Sequence, residues 1–273
     1  MIHVLKIGGG AGIDAAPALH NLAERVRNGE RWVLVHGASA AADALAARMG
    51  APVETITGPG GHVSRYTPPA MIDLYCAAAA SVNQQIAAIL AGLDVSAVGL
   101  AGPNVIAARR KTAIRALRDG RPIIIRDDCS GTITGVNGAL LDVLLNAGFT
   151  PVIAPVALGE EGERLNVDGD LVAAAVAREL GAETCIILSN VPGLLRDTDN
   201  PASLVRRIGQ HEIDAYEALA QGRMKKKLLA ARQAQPARVI LSSAGVTRPL
   251  DAALNGSGTH IVAPEVVYAG NLG

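Results

Sequence analysis

Short apolar runs alternate with longer amphipathic segments along most of the chain. The short runs are rich in valine, isoleucine and leucine and predict strands, the first at residues 3–7 and the others in RWVLVHG, VSAVGLAG, TPVIAPVAL, TCIILSNV, ARVILSS and THIVA. The longer runs predict helices, several of which end at glycine: APALHNLAERVRNG, AAADALAARMG, PAMIDLYCAAAASVNQQIAAILAG, GALLDVLLNAG, GDLVAAAVARELG and KKKLLAARQAQ. This alternation predicts an α/β fold, a three-layer α/β/α sandwich in which helices cover both faces of a mainly parallel central sheet.

One segment departs from the alternation. In RPIIIRDDCSGTITGVN, residues 121–137, two β-rich runs flank Asp127, Asp128 and Gly131, which predicts a β-hairpin at an edge of the sheet. A second change of character is the short acidic turn with glycines at residues 159–162. We expect this turn to divide a single domain, 1–273, into an N-terminal lobe, 1–161, and a C-terminal lobe, 162–273.

Composition narrows the classes of partner and compartment. The 273 residues carry 25 Lys and Arg against 25 Asp and Glu, so no global field favours nucleic acid or a membrane, and neither is expected as a partner. Cys76, Cys129 and Cys185 are far apart and outside any C-x-x-C motif, which argues against a disulfide framework or a structural zinc site. The apolar stretch at 139–158 is interrupted by polar residues and prolines, and no basic-then-apolar leader precedes the first strand. These features predict a soluble cytoplasmic protein.

Glycine turns follow the first two strands, and a lysine lies within the first. Lys6 sits among Val4, Leu5 and Ile7, where a charge is costly to bury without an anionic partner. The turns KIGGG and HGAS lack the third glycine and the strand-end carboxylate of a dinucleotide site, and no P-loop motif is present. Because parallel strands end at one edge of a sheet, backbone N–H groups from both turns can converge on one anion, although a single glycine turn is more often a plain connection.

Two further clusters of polar residues lie near predicted helix starts. Asn166 and Asp170 are four residues apart, which would place them on one helix face, unless Asn166 is a cap and Asp170 a plain first-turn residue. Lys225, Lys226 and Lys227 begin a helix, where cations oppose the dipole unless at least one meets an anion; a solvated lysine run is the alternative. Two lysines from opposite halves of the chain, with an aspartate that holds them, suit phosphoryl transfer, because its catalysis relies on positioning and charge neutralisation.

Six motifs in order resemble the amino acid kinase family, and within it the N-acetylglutamate kinase group, across nearly the whole chain. They are KIGGG, VHGAS, SRYTP, LNVDGD, LSNVPGLL and GRMKKK. The resemblance implies the amino acid kinase fold, with an N-terminal lobe that binds the acyl amino acid and dimerises, and a C-terminal lobe that binds ATP with magnesium. The histidines form no metal-ligand spacing, so we expect Mg²⁺ to arrive with ATP, held by the phosphates.

The same resemblance implies roles for individual residues. Lys6 and Lys227 would neutralise charge on the phosphoryl group as it passes from ATP to a carboxylate, and Asp170 would orient both lysines. Arg65 would pair with the substrate's α-carboxylate, and Asn166 would bind the acylated amino group. Backbone N–H groups for the phosphoryl group and the substrate would come from Gly9, Gly37, Ala38 and Ser39. The nucleotide would be bordered by Ser189, Asn190, Gly193 and Leu194.

Departures from the group favour one of its branches. The chain has Gly37, Ala38 and Ser39 where acetylglutamate kinases typically have three glycines after the histidine. The phrases GGHVSRYT, ARRKTAIRALRDG, RDDCSGTITGVN and LSNVPGLL are similar to the branch that phosphorylates aminoadipate or glutamate attached through its amino group to a small acidic carrier protein. That branch serves lysine or arginine biosynthesis.

A basic segment suits such a carrier. Only Asp119 opposes seven basic residues between positions 109 and 126, which are Arg109, Arg110, Lys111, Arg115, Arg118, Arg121 and Arg126. We expect an acidic carrier protein to dock on Arg109, Arg110 and Lys111, since opposite charges steer association. The alternative is a solvated helix face.

The prediction is therefore an ATP-dependent kinase that converts the side-chain carboxylate of carrier-linked L-2-aminoadipate or L-glutamate to an acyl phosphate. Free N-acetyl-L-glutamate is the close alternative substrate. A non-catalytic nucleotide-binding regulator and a dinucleotide oxidoreductase are alternatives from other classes; the paired lysines with Asp170 argue against the first, and the missing dinucleotide signature against the second. The arginine-inhibited hexamers of the group carry an N-terminal extension before the first strand, and this sequence shows none. We therefore expect a homodimer.

Overall fold

The computed structural model describes residues 1–58, 63–118, 121–220, 222–234 and 237–263, and every structural statement below concerns these residues. The strands are β1 (Ile2–Ile7), β2 (Arg31–His36), β3 (Thr55–Thr57), β4 (Val63–Arg65), β5 (Ala97–Leu100), β6 (Ile106–Arg110), β7 (Ile114–Arg118), β8 (Arg121–Ile125), β9 (Gly131–Val136), β10 (Thr150–Ile153), β11 (Val156–Gly159), β12 (Arg164–Asn166), β13 (Thr184–Ser189), β14 (Arg207–Gly209), β15 (Arg238–Ser243) and β16 (Thr259–Val262). The α-helices are α1 (Ala16–Arg27), α2 (Ser39–Arg48), α3 (Pro69–Gly92), α4 (Gly138–Asn146), α5 (Gly169–Glu179), α6 (Ile213–Glu217), α7 (Arg223–Gln233) and α8 (Pro249–Leu254).

An eight-stranded sheet forms the centre of the fold, in the order β14-β16-β15-β13-β1-β2-β10-β5. Its pairs are parallel except for β15 with β16. Alternate residues of its strands enter two different hydrophobic clusters: Val4 packs with α5 and α7 on one face, whereas Leu5 packs with α1, α3 and α8 on the other. The predicted three-layer α/β/α sandwich is confirmed.

Two small four-stranded sheets, β12-β11-β6-β9 and β4-β3-β7-β8, accompany the central sheet. Their strand pairing shows that the predicted edge hairpin is wrong. The two β-rich runs at 121–137 do not pair, because β8 joins β7 and β9 joins β6. Asp128 lies in the connection between them: its Oδ2 accepts a hydrogen bond from the Thr67 amide and its Oδ1 one from the Ser130 amide, at 2.9 and 2.8 Å. This carboxylate ties the chain between β8 and β9 to the loop that follows β4.

The basic segment from Arg109 to Arg126 consists of strands and their connections, so the alternative of a solvated helix face is wrong. Asp119 and Gly120, and residues 60–62 of the motif GGHVSRYT, lie outside the described residues. The expected lobe boundary at 161/162 falls in the turn of the antiparallel pair β11 and β12, and the assignment of lobes stays a prediction.

Helix α3 is, by length and composition, apolar enough to cross a membrane, and no other helix among the described residues is. Core helices of soluble proteins pass the same test, so this is weak evidence of insertion. Ile86 and Leu90 of α3 belong to the hydrophobic cluster beneath the central sheet. The helix begins and ends where its sequence pattern predicts, and Cys76 within it is a free thiol, as are Cys129 and Cys185.

Candidate active site

A cleft of about 940 Å³ opens where β1, β2 and β13 end and where α5 and α7 begin. Among the sequence-predicted site residues, all but Arg109 and Arg110 line it. The lining residues in that set are Lys6, Gly9, Gly37, Ala38, Ser39, Arg65, Lys111, Asn166, Asp170, Ser189, Asn190, Gly193, Leu194 and Lys227. Residues as far apart in the sequence as Lys6 and Lys227, which are 221 positions apart, are thus collected at one edge of the sheet.

Lys6, Asp170 and Lys227 form a buried ion triad in the cleft. The Lys6 Nζ lies 2.6 Å from Asp170 Oδ1, and the Lys227 Nζ lies 2.8 Å from Asp170 Oδ2. Each of the three side chains is at most 10% exposed. Burial alone would raise the pKa of Asp170, but the two ammonium groups overcome it and hold the pKa below its usual range. Burial lowers the pKa of Lys227, with Asp170 opposing and Lys6 reinforcing the shift.

The start of α5 fixes this triad. Asp168 is the N-cap: its Oδ1 accepts hydrogen bonds from the amides of Asp170 and Leu171, at 2.9 and 3.4 Å. Its Oδ2 lies 3.1 Å from Lys226 Nζ, so two aspartates at one helix start hold two adjacent lysines of α7. The expectation for Asn166 is wrong in one respect. It ends β12, before the helix, so it neither shares a helix face with Asp170 nor caps α5.

The two glycine turns touch each other. A Cβ on Gly9 would lie 2.1 Å from the carbonyl carbon of Gly37, and a Cβ on Gly37 would lie 2.3 Å from the nitrogen of Gly9. Real Cβ atoms do not approach so closely, so both positions require glycine. The Gly9 carbonyl accepts hydrogen bonds from the Ser39 hydroxyl at 2.8 Å and from the Ala40 amide at 2.7 Å. The two turns meet at one edge of the sheet, as their parallel strands predict, and the convergence of their N–H groups on an anion stays a prediction.

His36, just before the second turn, is buried and sequence reasoning gave it no role. Its Nε2 lies 3.1 Å from the Asn83 Nδ2, which also donates to the Val152 carbonyl at 2.9 Å. Because an amide nitrogen only donates, Nε2 must accept, and the proton then resides on Nδ1, 3.2 Å from the Gly37 carbonyl. Burial lowers the pKa of His36 to about 4, and Lys6 contributes in the same direction. The imidazole is therefore neutral and is oriented toward the turn.

Arg65 and Asn166 lie on one wall of the cleft. Arg65 Nη2 donates to the Ser39 carbonyl at 3.0 Å and pairs with Asp43 at 2.6 Å. Its Nη1 is buried and has no hydrogen-bond partner among the described residues, so it is available to an anion in the cleft. The Asn166 amide donates to the Thr67 hydroxyl at 3.1 Å and retains a second N–H and the capacity to accept.

The opposite wall contains the motif SNVPGLL. Gly193 has a φ of +152°, and a Cβ there would lie 2.5 Å from the Thr259 hydroxyl oxygen. That hydroxyl accepts a hydrogen bond from the Leu194 amide at 2.9 Å. Sequence reasoning missed other residues that line this side, namely Thr198, Leu219, Ala220, Arg223 and Met224. Only Arg223 and Met224 had a signal, because they lie within GRMKKK; the others come from loops without a pattern.

The three residues of the expected docking segment differ in environment. Arg109 is 70% exposed and pairs with Glu160 at 3.1 Å on the surface. Arg110 instead donates to the backbone carbonyls of Asp128 and Asp127, at 3.1 and 3.3 Å. Lys111 is exposed and lines the cleft.

The described residues contain no group of three or more His, Cys, Asp or Glu side chains that could hold a metal ion. Each carboxylate oxygen of Asp170 is paired with a lysine, and each of Asp168 with Lys226 or a backbone amide. Asp43, the third aspartate that lines the cleft, pairs with Arg65. The aspartates in the cleft therefore do not fit a protein-held magnesium site.

Comparisons with known proteins agree with this geometry. A model described as the amino acid kinase family matches residues 1–241. The chain is 39% identical over 267 residues to a protein named "[LysW]-aminoadipate kinase" from Deinococcus radiodurans, covering 94% of this chain and 90% of the relative. It is 40% identical over 269 residues to a protein of the same name from Thermus thermophilus, covering 94% of this chain and 99% of that one.

Solved structures are similar over nearly the whole chain. N-acetylglutamate synthase from Neisseria gonorrhoeae, complexed with coenzyme A and N-acetyl-glutamate, has a TM-score of 0.77 at 25% identity; the match covers 96% of this chain and 59% of that one. Carbamate kinase from Giardia lamblia bound to AMP-PNP has a TM-score of 0.67 at 16% identity, with 96% and 98% covered. At that identity the second likeness concerns the fold alone.

Proposed function

The chain belongs to the amino acid kinase family, and from this premise we propose that it transfers the γ-phosphoryl group of ATP to the side-chain carboxylate of carrier-linked L-2-aminoadipate or L-glutamate in lysine or arginine biosynthesis. The bracketed LysW in the relatives' names, read as a carrier attached to the acceptor, supports the carrier-linked form. The single observation that carries the chemistry is the buried triad of Lys6, Asp170 and Lys227 beside two touching glycine turns.

In the reaction, a carboxylate oxygen of the acceptor attacks the γ-phosphorus, the bond to the β–γ bridging oxygen breaks, and an acyl phosphate and ADP result. Negative charge on the transferred oxygens is met by Lys6 from the acceptor side and Lys227 from the nucleotide side. Asp170 keeps both ammonium groups in place at 2.6 and 2.8 Å before the substrates bind. Such preorganised charge is worth more in a buried site than in water.

The remaining residues position the two substrates. Backbone N–H groups of Gly9, Gly37, Ala38 and Ser39 would contact the phosphoryl group and the acceptor. The free Nη1 of Arg65 would take the α-carboxylate, and Asn166 the acylated amino group. Ser189, Asn190, Gly193 and Leu194 would border the nucleotide. Family membership implies ATP, and Mg²⁺ would arrive bound to its phosphates, since the cleft aspartates are engaged with lysines, an arginine and amides.

An acidic carrier would dock beside the cleft on Arg109, Arg110 and Lys111. The exposure of Arg109 and the position of Lys111 in the lining of the cleft support this assignment. Free N-acetyl-L-glutamate remains the second candidate acceptor, favoured by the likeness to a synthase complexed with N-acetyl-glutamate. A homodimer and a cytoplasmic location are expectations, the first of which light scattering on the purified protein would test.

A coupled assay of ADP release tests the proposal. Purified enzyme would be offered carrier-linked aminoadipate, carrier-linked glutamate and free N-acetylglutamate, each at matched concentrations, with unmodified carrier as the blank. We expect turnover of a carrier-linked acceptor with a kcat/KM well above that of N-acetylglutamate. Faster turnover of the free acetylated compound would assign the chain to the alternative substrate, and ATP binding without any turnover would favour the non-catalytic regulator.

A further inference from the structure

Two lysines at the cleft have no part in the proposed phosphoryl transfer. Lys111 follows β6, and its backbone amide donates to the Ser130 carbonyl at 3.0 Å. Ser130 forms a parallel bridge with Asn166, so Lys111 extends from the wall that carries the amide-binding asparagine. Lys226 reaches the cleft from α7, across from that wall, and its Nζ lies 3.1 Å from Asp168 Oδ2.

The charges around these lysines leave a positive surplus. Asp168 offers one oxygen to Lys226 while the other caps α5, and both oxygens of Asp128 accept backbone amides. No described carboxylate forms an ion pair with Lys111. Burial lowers the pKa of Lys111, and the nearby charge of Lys226 lowers it further, against opposing effects of Asp128 and Asp168. Two ammonium groups that repel each other beside a cleft are stabilised when an anion binds between them.

We propose that Lys111 and Lys226 form an anion subsite that binds a carboxylate on the acyl arm of the acceptor, next to the amide that Asn166 contacts. This inference rests on the proposed function. The acyl arm is favoured over the transferred phosphoryl group because Lys111 is hydrogen-bonded through Ser130 to the wall that carries Asn166, whereas Lys6 and Lys227 are the lysines paired with Asp170. An acyl arm that an acidic carrier contributes would end in an acidic group, and this group would fill the subsite. An acetyl group leaves it empty.

Small acceptors that differ in one group isolate this contact without the carrier. N-succinyl-L-2-aminoadipate carries a carboxylate at the end of its acyl arm, whereas N-succinamoyl-L-2-aminoadipate has a neutral amide of the same shape there. We expect wild-type enzyme to prefer the succinyl compound by about 10- to 100-fold in kcat/KM, the range for a charge-assisted hydrogen bond. Most of this preference should appear in KM, since the contact is the same in ground and transition states.

Variants then assign the preference to the two lysines. Lys111→Met and Lys226→Met should each lower the succinyl preference at least several-fold while changing turnover of the succinamoyl compound little. Lys225→Met is the matched control, because Lys225 is exposed in the same helical turn and does not line the cleft. Because Lys226 also pairs with the N-cap of α5, Lys226→Arg is included, and it should retain the preference.

Other results would overturn the inference in distinguishable ways. Equal kcat/KM for the two acceptors on wild-type enzyme would exclude a subsite for a carboxylate. A loss of kcat with both acceptors together with a raised KM for ATP in Lys111→Met would assign the lysine to the phosphoryl group instead. Turnover of carrier-linked aminoadipate separates these results from failure of the proposed function: no turnover of that acceptor contradicts the proposed function, whereas its turnover together with equal or absent binding of the two small acceptors contradicts only the subsite.

Discussion

At the scale of single residues, Asp170 has the most demanding position in the cleft. It is a buried carboxylate that contacts two ammonium groups, so the triad carries a net positive charge before any substrate is present. Burying such charges is costly, and the cost is compatible with function only if an anion completes the site. Lys6, which the sequence marked as a charge within a buried strand, meets one anion within the protein and is free to meet a second from the nucleotide.

Replacing either lysine of the triad should impair the chemical step. We expect Lys6→Ala and Lys227→Ala each to reduce kcat by about two to four decades, as loss of one stabiliser of transition-state charge does. Steady-state kinetics of ADP release check this, with Lys225→Ala as the control on the same helix. Melting curves must accompany them, because removing one member of a buried ion triad also weakens the fold. Wild-type turnover in both folded variants would contradict the mechanism.

His36 should make the stability of the protein depend on pH in a defined window. Its pKa falls from 6.5 to about 4 in the folded protein, so the unfolded chain takes up the proton first as the pH is lowered. The free energy of unfolding therefore declines as pH drops from about 6.5 to about 4, by roughly 2 kcal/mol between pH 7.5 and pH 5. Urea unfolding of wild type and His36→Gln at both pH values measures the difference. Identical pH dependence in the two proteins would show that His36 does not titrate in this way.

At the scale of elements, the basic strands give the test of carrier docking. Arg110 is a poor site for charge reversal, because its guanidinium holds two backbone carbonyls of the β8–β9 connection. Arg109 and Arg115 are exposed on β6 and β7 and can be changed without losing such bonds.

We expect Arg109→Glu and Arg115→Glu each to lower kcat/KM for a carrier-linked acceptor several-fold at low salt and to leave the KM for ATP unchanged. The loss should fade as the Debye length shortens from about 10 Å at 0.1 M to about 3 Å at 1 M salt. Arg31→Glu is the matched control, because it makes the same charge change at the start of β2, at the end of the strand away from the cleft. A salt-independent kcat/KM, or an equal effect of Arg31→Glu, would argue against docking on these strands.

The elements also show how far sequence patterns reach. All six predicted helices and all seven predicted strand runs of the alternating pattern are present, because long apolar periodicity reflects burial on a sheet face. TPVIAPVAL contains two strands, β10 and β11, that enter different sheets. The strands β3, β4, β12 and β14 have three residues each, too few for a period to register. β8 pairs with β7, with Arg118 opposite Arg121, and the Asp-Gly pair between them in the sequence is a hairpin signature that the sequence analysis did not use.

The site residues, too, could be predicted only where a local pattern marks them. Residues next to glycine turns or helix starts were found, since those features have a physical signature in the sequence. Asp168 had such a signature, an aspartate directly before a helix, but the only cap considered from the sequence was Asn166, as the alternative to a helix face shared with Asp170. His36 and Asn83 lay in apolar runs, and their bond joins a strand to a helix far along the chain. The charges near Lys111 come from separate parts of the chain, namely Lys226, Asp128 and Asp168. The composition of the segment around Lys111 therefore indicated only a basic surface.

At the scale of the whole molecule, the central sheet joins both halves of the chain. β14, β16, β15 and β13 come from residues 162–273 and β1, β2, β10 and β5 from residues 1–161, with β13 paired to β1 at the junction. Helix α5 covers one face of β1 and β2, so residues 1–161 do not bury all of their apolar surface by themselves.

We therefore expect one cooperative unfolding transition. In scanning calorimetry of the unliganded protein, the van't Hoff and calorimetric enthalpies should agree. A fragment of residues 1–161 should fail to fold, because it would expose the edge of β1 and the apolar face that α5 covers. Two resolved transitions, or a folded fragment with dispersed amide resonances, would indicate lobes of independent stability.

The contact between Gly9 and Gly37 has a consequence for anyone who evolves this enzyme toward a new acceptor. The main chain at each glycine excludes a side chain at the other, so a mutational scan should find both positions intolerant, and changing them together should restore nothing, because each added Cβ meets main-chain atoms. Ser39 is nearly as constrained, since its hydroxyl binds the Gly9 carbonyl. Libraries that aim at the acceptor pocket should therefore keep the two turns fixed and vary the wall that carries Lys111 and Ser130.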